Sequence, residues 1–267
     1  MSKSTDRKQF WDERSQTASS DFELDHGTRP GLELERLSER ALLSFVNPQP
    51  NQSVFDAGCG TGGNILLLHS RVKYIVGMDY SAGTVTRCRN RIQSKGIKNV
   101  DVIEGSITQT PLSNDSIDTV LCTSVLQYLN DSELRCALSE FVRILKDGGS
   151  LVLHVKNLSS LYLSTLWLVK RLKLLLRRHT KLEYYRSFSW YARTLKTFGF
   201  EIVDYNSFNL FMLDIFHPRL ISYLEKLELR NYNKGLFGTG FMRRRGYDLN
   251  IKARLRKESV QSGGCDR

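Results

Sequence analysis

Gly58, Gly60, Gly62 and Gly63 follow directly on the apolar run Val54-Phe55 and the single acid Asp56. A strand that ends this way must turn tightly. Glycines permit the left-handed backbone such a turn needs, and its N–H groups then face any ligand at the strand end. This segment constrains the chain more than any other, because it demands a strand, a turn and then a helix in that order.

The chain continues in the same rhythm. Short apolar strands are expected at residues 54–56, 74–78, 100–103, 117–122 and 151–155. Between them, residues 63–70, 82–95 and 130–145 carry apolar residues at helical spacing. Asn130 with Glu133 three residues on is a capping-box pattern, and Asp147-Gly148-Gly149 reads as the stop of that helix. A helix is expected over 31–46, ended by Asn47-Pro48-Gln49-Pro50. A further helix over 189–198 and strands over 200–205 and 247–255 close the pattern, and 206–245 reads as irregular. Strand–helix alternation of this kind predicts an α/β fold with a doubly wound, mostly parallel sheet. Residues 1–50 are expected to form an N-terminal helical lid. Residues 51–157 should form the binding core, and 158–257 cap insertions plus the last helix and strands of the same sheet. Residues 258–267 are expected to form a flexible tail.

Composition excludes several classes. No apolar run approaches the ~20 residues that span a bilayer, and the polar start lacks the apolar segment of a secretory signal. The five cysteines (Cys59, Cys88, Cys122, Cys136 and Cys265) are widely spaced with no C-x-x-C pair, which predicts reduced thiols in a cytoplasmic protein and no zinc ribbon. No metal constellation, nucleophile elbow or P-loop occurs. Net charge is +11, unevenly placed: residues 1–150 hold 17 Lys+Arg against 19 Asp+Glu, and residues 151–267 hold 22 against 9. A basic second half suits an anionic partner such as nucleic acid, a membrane surface or an acidic substrate.

Gly58, Gly60 and Gly63 match the dinucleotide fingerprint G-x-G-x-x-G. Asp56 argues against that reading, since a carboxylate two residues before the first glycine orders something cationic rather than a pyrophosphate. Asp56-x-Gly58-x-Gly60-x-Gly62 instead resembles the motif of class I S-adenosylmethionine-dependent methyltransferases. Further segments resemble that family in order: Gly77-Met78-Asp79-Tyr80-Ser81, Val102-Ile103-Glu104-Gly105-Ser106-Ile107, Pro111-Leu112 with Asp115-Ser116-Ile117-Asp118-Thr119-Val120, and Arg143-Ile144-Leu145-Lys146-Asp147-Gly148-Gly149. The likeness is greatest to the type 11, quinone-biosynthesis-like branch. It implies a Rossmann-like seven-stranded sheet and S-adenosyl-L-methionine as cofactor, with S-adenosyl-L-homocysteine as product and no metal. It places cofactor contacts at Asp56, Gly58, Cys59, Gly60, Gly62, Asp79, Tyr80, Ser106, Ile107 and Thr123. Asp79 stands 17 residues past Gly62, near the ~20-residue spacing of a ribose-binding acid. Ser106 replaces the family's usual Asp, and Tyr128 replaces a histidine found near the reaction centre.

Methyl transfer to a hydroxyl or amine needs a group that removes a proton. His154, at the carboxyl end of its strand, is the first candidate. His26, in the lid segment, and Tyr128 are the others. Tyr184 and Tyr185 resemble a family stretch that lines the acceptor pocket. The acceptor is expected to be a small molecule: a quinone-like phenol, a sugar or lipid-linked glycan, or a secondary metabolite. The alternative is RNA, served by the basic second half. In residues 161–179, Leu161, Leu168, Val169, Leu172, Leu175 and Leu176 share one helical arc, with Lys170, Lys173 and Arg177 opposite. Such a basic amphipathic helix suits peripheral contact with an anionic membrane at its inner surface, or else caps the acceptor pocket.

Overall fold

The computed structural model describes residues 3–21, 41–160, 183–208 and 243–259. Helix α1 (Lys3–Thr17) comes first, and residues 41–46 are helical. The core then alternates: β1 (Ser53–Ala57), α2 (Gly63–Leu68), β2 (Tyr74–Asp79), α3 (Ala82–Ser94), β3 (Val100–Glu104), β4 (Ile117–Thr123), α4 (Asp131–Ile144) and β5 (Leu145–Lys156). Helix α5 (Phe188–Thr197), β6 (Phe200–Phe208) and β7 (Asp248–Leu255) complete it.

All seven strands join one sheet in the order β3-β2-β1-β4-β5-β7-β6. β1 to β5 run parallel, and β7 is antiparallel to both β5 and β6. The expected α/β, doubly wound, seven-stranded sheet is therefore present. Strand order reverses at β1 and β4, whose carboxyl ends mark where such sheets open a ligand crevice.

Both faces of the sheet are covered, which is why its central strands bury apolar residues on both sides. Phe55, Val120, Leu151 and Leu153 pack with Phe141 of α4 and Leu195 of α5 on one face. Val54, Leu121 and Val152 pack with Ile65, Val85 and Phe45 on the other. Helix α4 starts where the sequence indicates. Asn130 Oδ1 accepts from Glu133 N at 2.9 Å, and Glu133 Oε2 accepts from Asn130 N at 2.8 Å. A cap of this kind contributes about 1 kcal/mol.

Two expectations are corrected. Helix α4 ends at Ile144, and Asp147-Gly148-Gly149 lies inside β5 rather than closing the helix. Leu145 already pairs with Ile117 of β4, so sheet pairing overrides a tripeptide that locally favours a turn. Cys59, Cys88 and Cys122 are free thiols, but Cys136 is disulfide-bonded. Wide spacing along the chain sets no lower limit on distance in the fold.

Candidate active site

A cavity of about 480 Å³ opens at the carboxyl ends of β1, β2 and β4. Its floor is the turn after β1. Gly58, Gly60 and Gly62 have φ of 82°, 54° and 87°. Gly58 N and Cys59 N donate to Met78 O at 2.7 and 2.9 Å, which binds the turn to the end of β2. A Cβ on Gly58 would stand 2.2 Å from Val125 Cγ2, so the loop after β4 seats directly on this glycine. Ser124 in that loop has φ 58°, a left-handed conformation at a residue that lines the cavity. Backbone strain of this kind gathers at functional sites.

Asp79 terminates β2 at the cavity wall. Its Oδ2 accepts from Gly60 N and its Oδ1 from Ser81 N, both at 3.0 Å. The carboxylate is thus aimed by two backbone donors. Across the cavity, Ser106, Ile107 and Thr108 form the turn after β3, with Ser106 Oγ 2.7 Å from Thr108 Oγ1. Ser106 therefore both caps its turn and lines the site.

Helix α1 supplies the remaining wall through Arg7 and Trp11. Arg7 donates to Tyr128 O and pairs with Glu133. Lys8 Nζ reaches Glu104 Oε1 at 2.9 Å and Tyr80 O at 3.1 Å, and Ser81 Oγ donates to Asp12 Oδ1 at 2.6 Å. Burial pushes the Glu133 carboxyl up, but Arg7 and the Asn130 N–H outweigh it and hold the group below its ordinary value. Trp11 meets Tyr128 edge-on, ring centres 5.6 Å apart.

Most of the expected cofactor residues meet here: Gly58, Cys59, Gly60, Asp79, Tyr80, Ser106, Ile107 and Thr123 line the cavity, as does Tyr128. Asp56 and Gly62 do not. Asp56 is 1% exposed and lies behind the turn, where Asn64 Nδ2 bridges its Oδ1 (3.4 Å) to Thr123 Oγ1 (2.8 Å). Gly62 caps α2, and a Cβ there would stand 2.7 Å from Cys88 Sγ.

His154 is also outside the cavity lining. Its Nδ1 lies 2.9 Å from Asn250 Oδ1 and its Nε2 3.4 Å from Asp248 Oδ1. Lys156 Nζ shares that carboxylate at 2.5 Å. Burial raises the Asp248 carboxyl, but Lys156 and His154 prevail and hold it far below the usual range. Tyr184 and Tyr185 stand beyond Tyr128: Tyr184 N donates to Gln127 O at 2.5 Å, and Tyr185 Oη donates to Glu183. His26 and residues 161–179 lie outside the described residues. Among the described residues no group of three His, Cys, Asp or Glu could hold a metal ion, and no helix is long and apolar enough to cross a membrane.

Arg7, Trp11, Asn64 and Glu133 line the cavity but are not legible in the sequence as site residues. The first two come from a polar helix whose only sequence signal is an aromatic pair, Phe10-Trp11, amid charges. Glu133 is absorbed by its capping role.

Residues 54–149 match the family of the methyltransferase domain. Over 113 residues the chain is 29% identical to an uncharacterized methyltransferase, YodH, of Bacillus subtilis, covering 42% of this chain and 47% of that one. It is 32% identical over 113 residues to carboxy-S-adenosyl-L-methionine synthase of Yersinia enterocolitica, covering 40% and 42%. The chain thus spans less than half the length of these curated relatives. Among solved structures, phosphoethanolamine N-methyltransferase 1 of Haemonchus contortus, in complex with phosphoethanolamine and S-adenosylhomocysteine, superposes with TM-score 0.68 at 17% identity, covering 99% of this chain and 51% of that one. Geranyl diphosphate C-methyltransferase of Streptomyces coelicolor superposes with TM-score 0.63 at 17% identity, covering 95% and 98%. These likenesses share the fold.

Proposed function

We propose, from the premise that residues 54–149 are a class I methyltransferase domain, that the protein transfers a methyl group from S-adenosylmethionine to a hydroxyl or amine of a small molecule. The observation that carries the reading is Asp79. Its carboxylate is fixed by Gly60 N and Ser81 N at the edge of a cavity floored by left-handed glycines. Those residues fit the cofactor: Asp79 would accept from the ribose hydroxyls, the Gly58–Gly60 backbone would border the methionine part, and Ser106 to Thr108 would flank the adenine. When bound, the cofactor supplies an electrophilic methyl on a sulfonium. The chain supplies orientation and water exclusion, through Trp11 and Arg7 above and Tyr128 to the side.

The cavity volume of about 480 Å³ suits the cofactor and a compact acceptor. Among the described residues, Arg243 and Arg244 of the basic half are engaged within the chain, which supports a small acceptor over RNA. Arg243 pairs with Asp204 and lies over Tyr205, 4.0 Å from its ring centre, and Arg244 lies 4.7 Å from that of Phe188. Quinone-like phenols, sugars and secondary metabolites stay within the proposal, as do a cytoplasmic location and membrane contact by residues 161–179.

Calorimetry with S-adenosylhomocysteine tests the cofactor assignment. Asp79→Ala should weaken binding by about 1–3 kcal/mol, since it leaves ligand hydroxyls unpaired in a closed site. An unchanged affinity removes Asp79 from the site, and absence of binding by the parent protein removes the methyltransferase reading. Methyl-labelled cofactor with a panel of phenols, sugars and amines identifies the acceptor class.

A further inference from the structure

We propose that the Ser124 hydroxyl meets the methyl acceptor, accepting a hydrogen bond from its O–H or N–H so that a lone pair of the attacking atom faces the methyl group. This rests on the methyltransferase reading and adds to it the contact that holds the acceptor.

The order of the sheet places the reaction centre. Along β3-β2-β1-β4, the adenine would lie at the end of β3, the ribose at Asp79 on the end of β2, and the methionine part at the turn after β1. The next carboxyl end in that row is the end of β4. Residues that follow β4 therefore border the part of the cofactor from which the methyl leaves. Val125 fixes this placement, because a Cβ on Gly58 of the β1 turn would stand 2.2 Å from Val125 Cγ2.

Thr123 and Ser124 both line the cavity. Consecutive residues of a regular strand point to opposite faces, so one of the two must leave the strand conformation. Ser124 does so, with φ 58°. Its backbone is held on both sides: Ser124 N donates to His154 O at 2.8 Å, and Ser124 O accepts from Gln127 Nε2 at 2.8 Å. Gln127 is 2% exposed, so that tie is part of the packed interior. Glycine adopts a left-handed backbone readily; serine held in it carries a hydroxyl to the cavity.

Neighbouring groups are engaged elsewhere. Thr123 Oγ1 accepts from Asn64 Nδ2 at 2.8 Å. The Glu133 carboxylate is taken by Arg7 and by Asn130 N. Burial holds the Tyr128 phenol protonated, and the Trp11 indole can only donate. Among the described residues the Ser124 hydroxyl has no hydrogen-bond partner, and its oxygen can accept from a ligand. A serine hydroxyl is too weak a base to remove a proton near neutral pH. Its part is to aim the attacking atom, and orientation of that kind carries much of the rate in a displacement reaction.

Sinefungin provides a test that needs no acceptor. It carries an amine-bearing carbon where the cofactor has its methylated sulfonium, so its N–H groups stand at the place of the methyl; S-adenosylhomocysteine has no donor there. In calorimetry, Ser124→Gly and Ser124→Ala should each weaken sinefungin binding by about tenfold or more, with S-adenosylhomocysteine within about threefold of the parent. Ser124→Gly also relieves the left-handed backbone, so its thermal midpoint should be no lower than that of the parent, and its loss of sinefungin is not a loss of fold. Unchanged sinefungin affinity, or an equal weakening of both ligands, overturns the assignment. So does a parent that binds S-adenosylhomocysteine but not sinefungin. With the acceptor that the panel identifies, both variants should lose about tenfold or more in kcat, and full turnover overturns the assignment while leaving the methyltransferase reading intact. A parent that binds neither ligand defeats that reading, and the role of Ser124 with it.

Discussion

Gly58→Ala isolates the fit between the β1 turn and the loop after β4. Two costs arise at once. Alanine at φ 82° adopts a left-handed conformation, which costs about 1–2 kcal/mol. Its Cβ would also stand 2.2 Å from Val125 Cγ2 and 3.2 Å from Val125 Cβ, and forcing such overlap in packed surroundings costs about 1–3 kcal/mol. The single variant should therefore lose about 2–5 kcal/mol in urea unfolding. The two costs separate in a double-mutant cycle, because Val125→Ala removes the clashing methyls and leaves the backbone strain. In the Val125→Ala background the same substitution should cost only about 1–2 kcal/mol. Strict additivity of the two substitutions would refute the argument, since it would mean that Val125 does not rest on Gly58. S-adenosylhomocysteine calorimetry on the same proteins should show weakened binding in Gly58→Ala and partial recovery in the double variant.

Two further outcomes follow from the same geometry. Gly83→Ala places a Cβ 2.0 Å from Ser15 Oγ, so α1 must lift from α3; limited proteolysis should cut the first 21 residues faster, and Ser15→Gly should restore the parent rate. Asp248→Asn removes the carboxylate shared by Lys156 and His154 and should cost about 3–5 kcal/mol at neutral pH, as breaking a buried pair does. The folded carboxyl lies below its unfolded value of 3.8, so its stabilisation is present above that value and is lost as pH falls further. Parent and variant urea midpoints should converge on acidification from pH 5 toward pH 3, and parallel curves would contradict the pairing.

Much of this architecture was readable because local and global preferences agree. The turn at Gly58 to Gly62, the acid at the end of β2 and the capping box at Asn130 are each specified by residues within a few positions of one another. What escaped depends on distant chain. Asp147-Gly148-Gly149 reads as a stop signal, and only the Ile117–Leu145 pairing makes it strand. Asp56 carries the motif yet faces Asn64 from below, because residue type alone does not say on which side of the turn a side chain emerges. Arg7 reaches Tyr128 across 121 residues, and Tyr184 N finds Gln127 O far along the chain. No spacing along the chain encodes those encounters. His154 is a candidate from its strand position alone, and only sheet pairing shows that it lies against Asn250 and Asp248.

The antiparallel insertion of β7 beside β5 also fixes a schedule for folding. Lys156 and its partner Asp248 are 92 residues apart. At synthesis rates of about 5–20 residues per second, β5 waits about 5–20 s before the strand that covers its edge has been made. Throughout that interval Leu151, Val152, Leu153 and Val155, all fully buried in the finished protein, stand at an open sheet edge. Nascent chains should therefore engage chaperones longest between the emergence of β5 and that of β7.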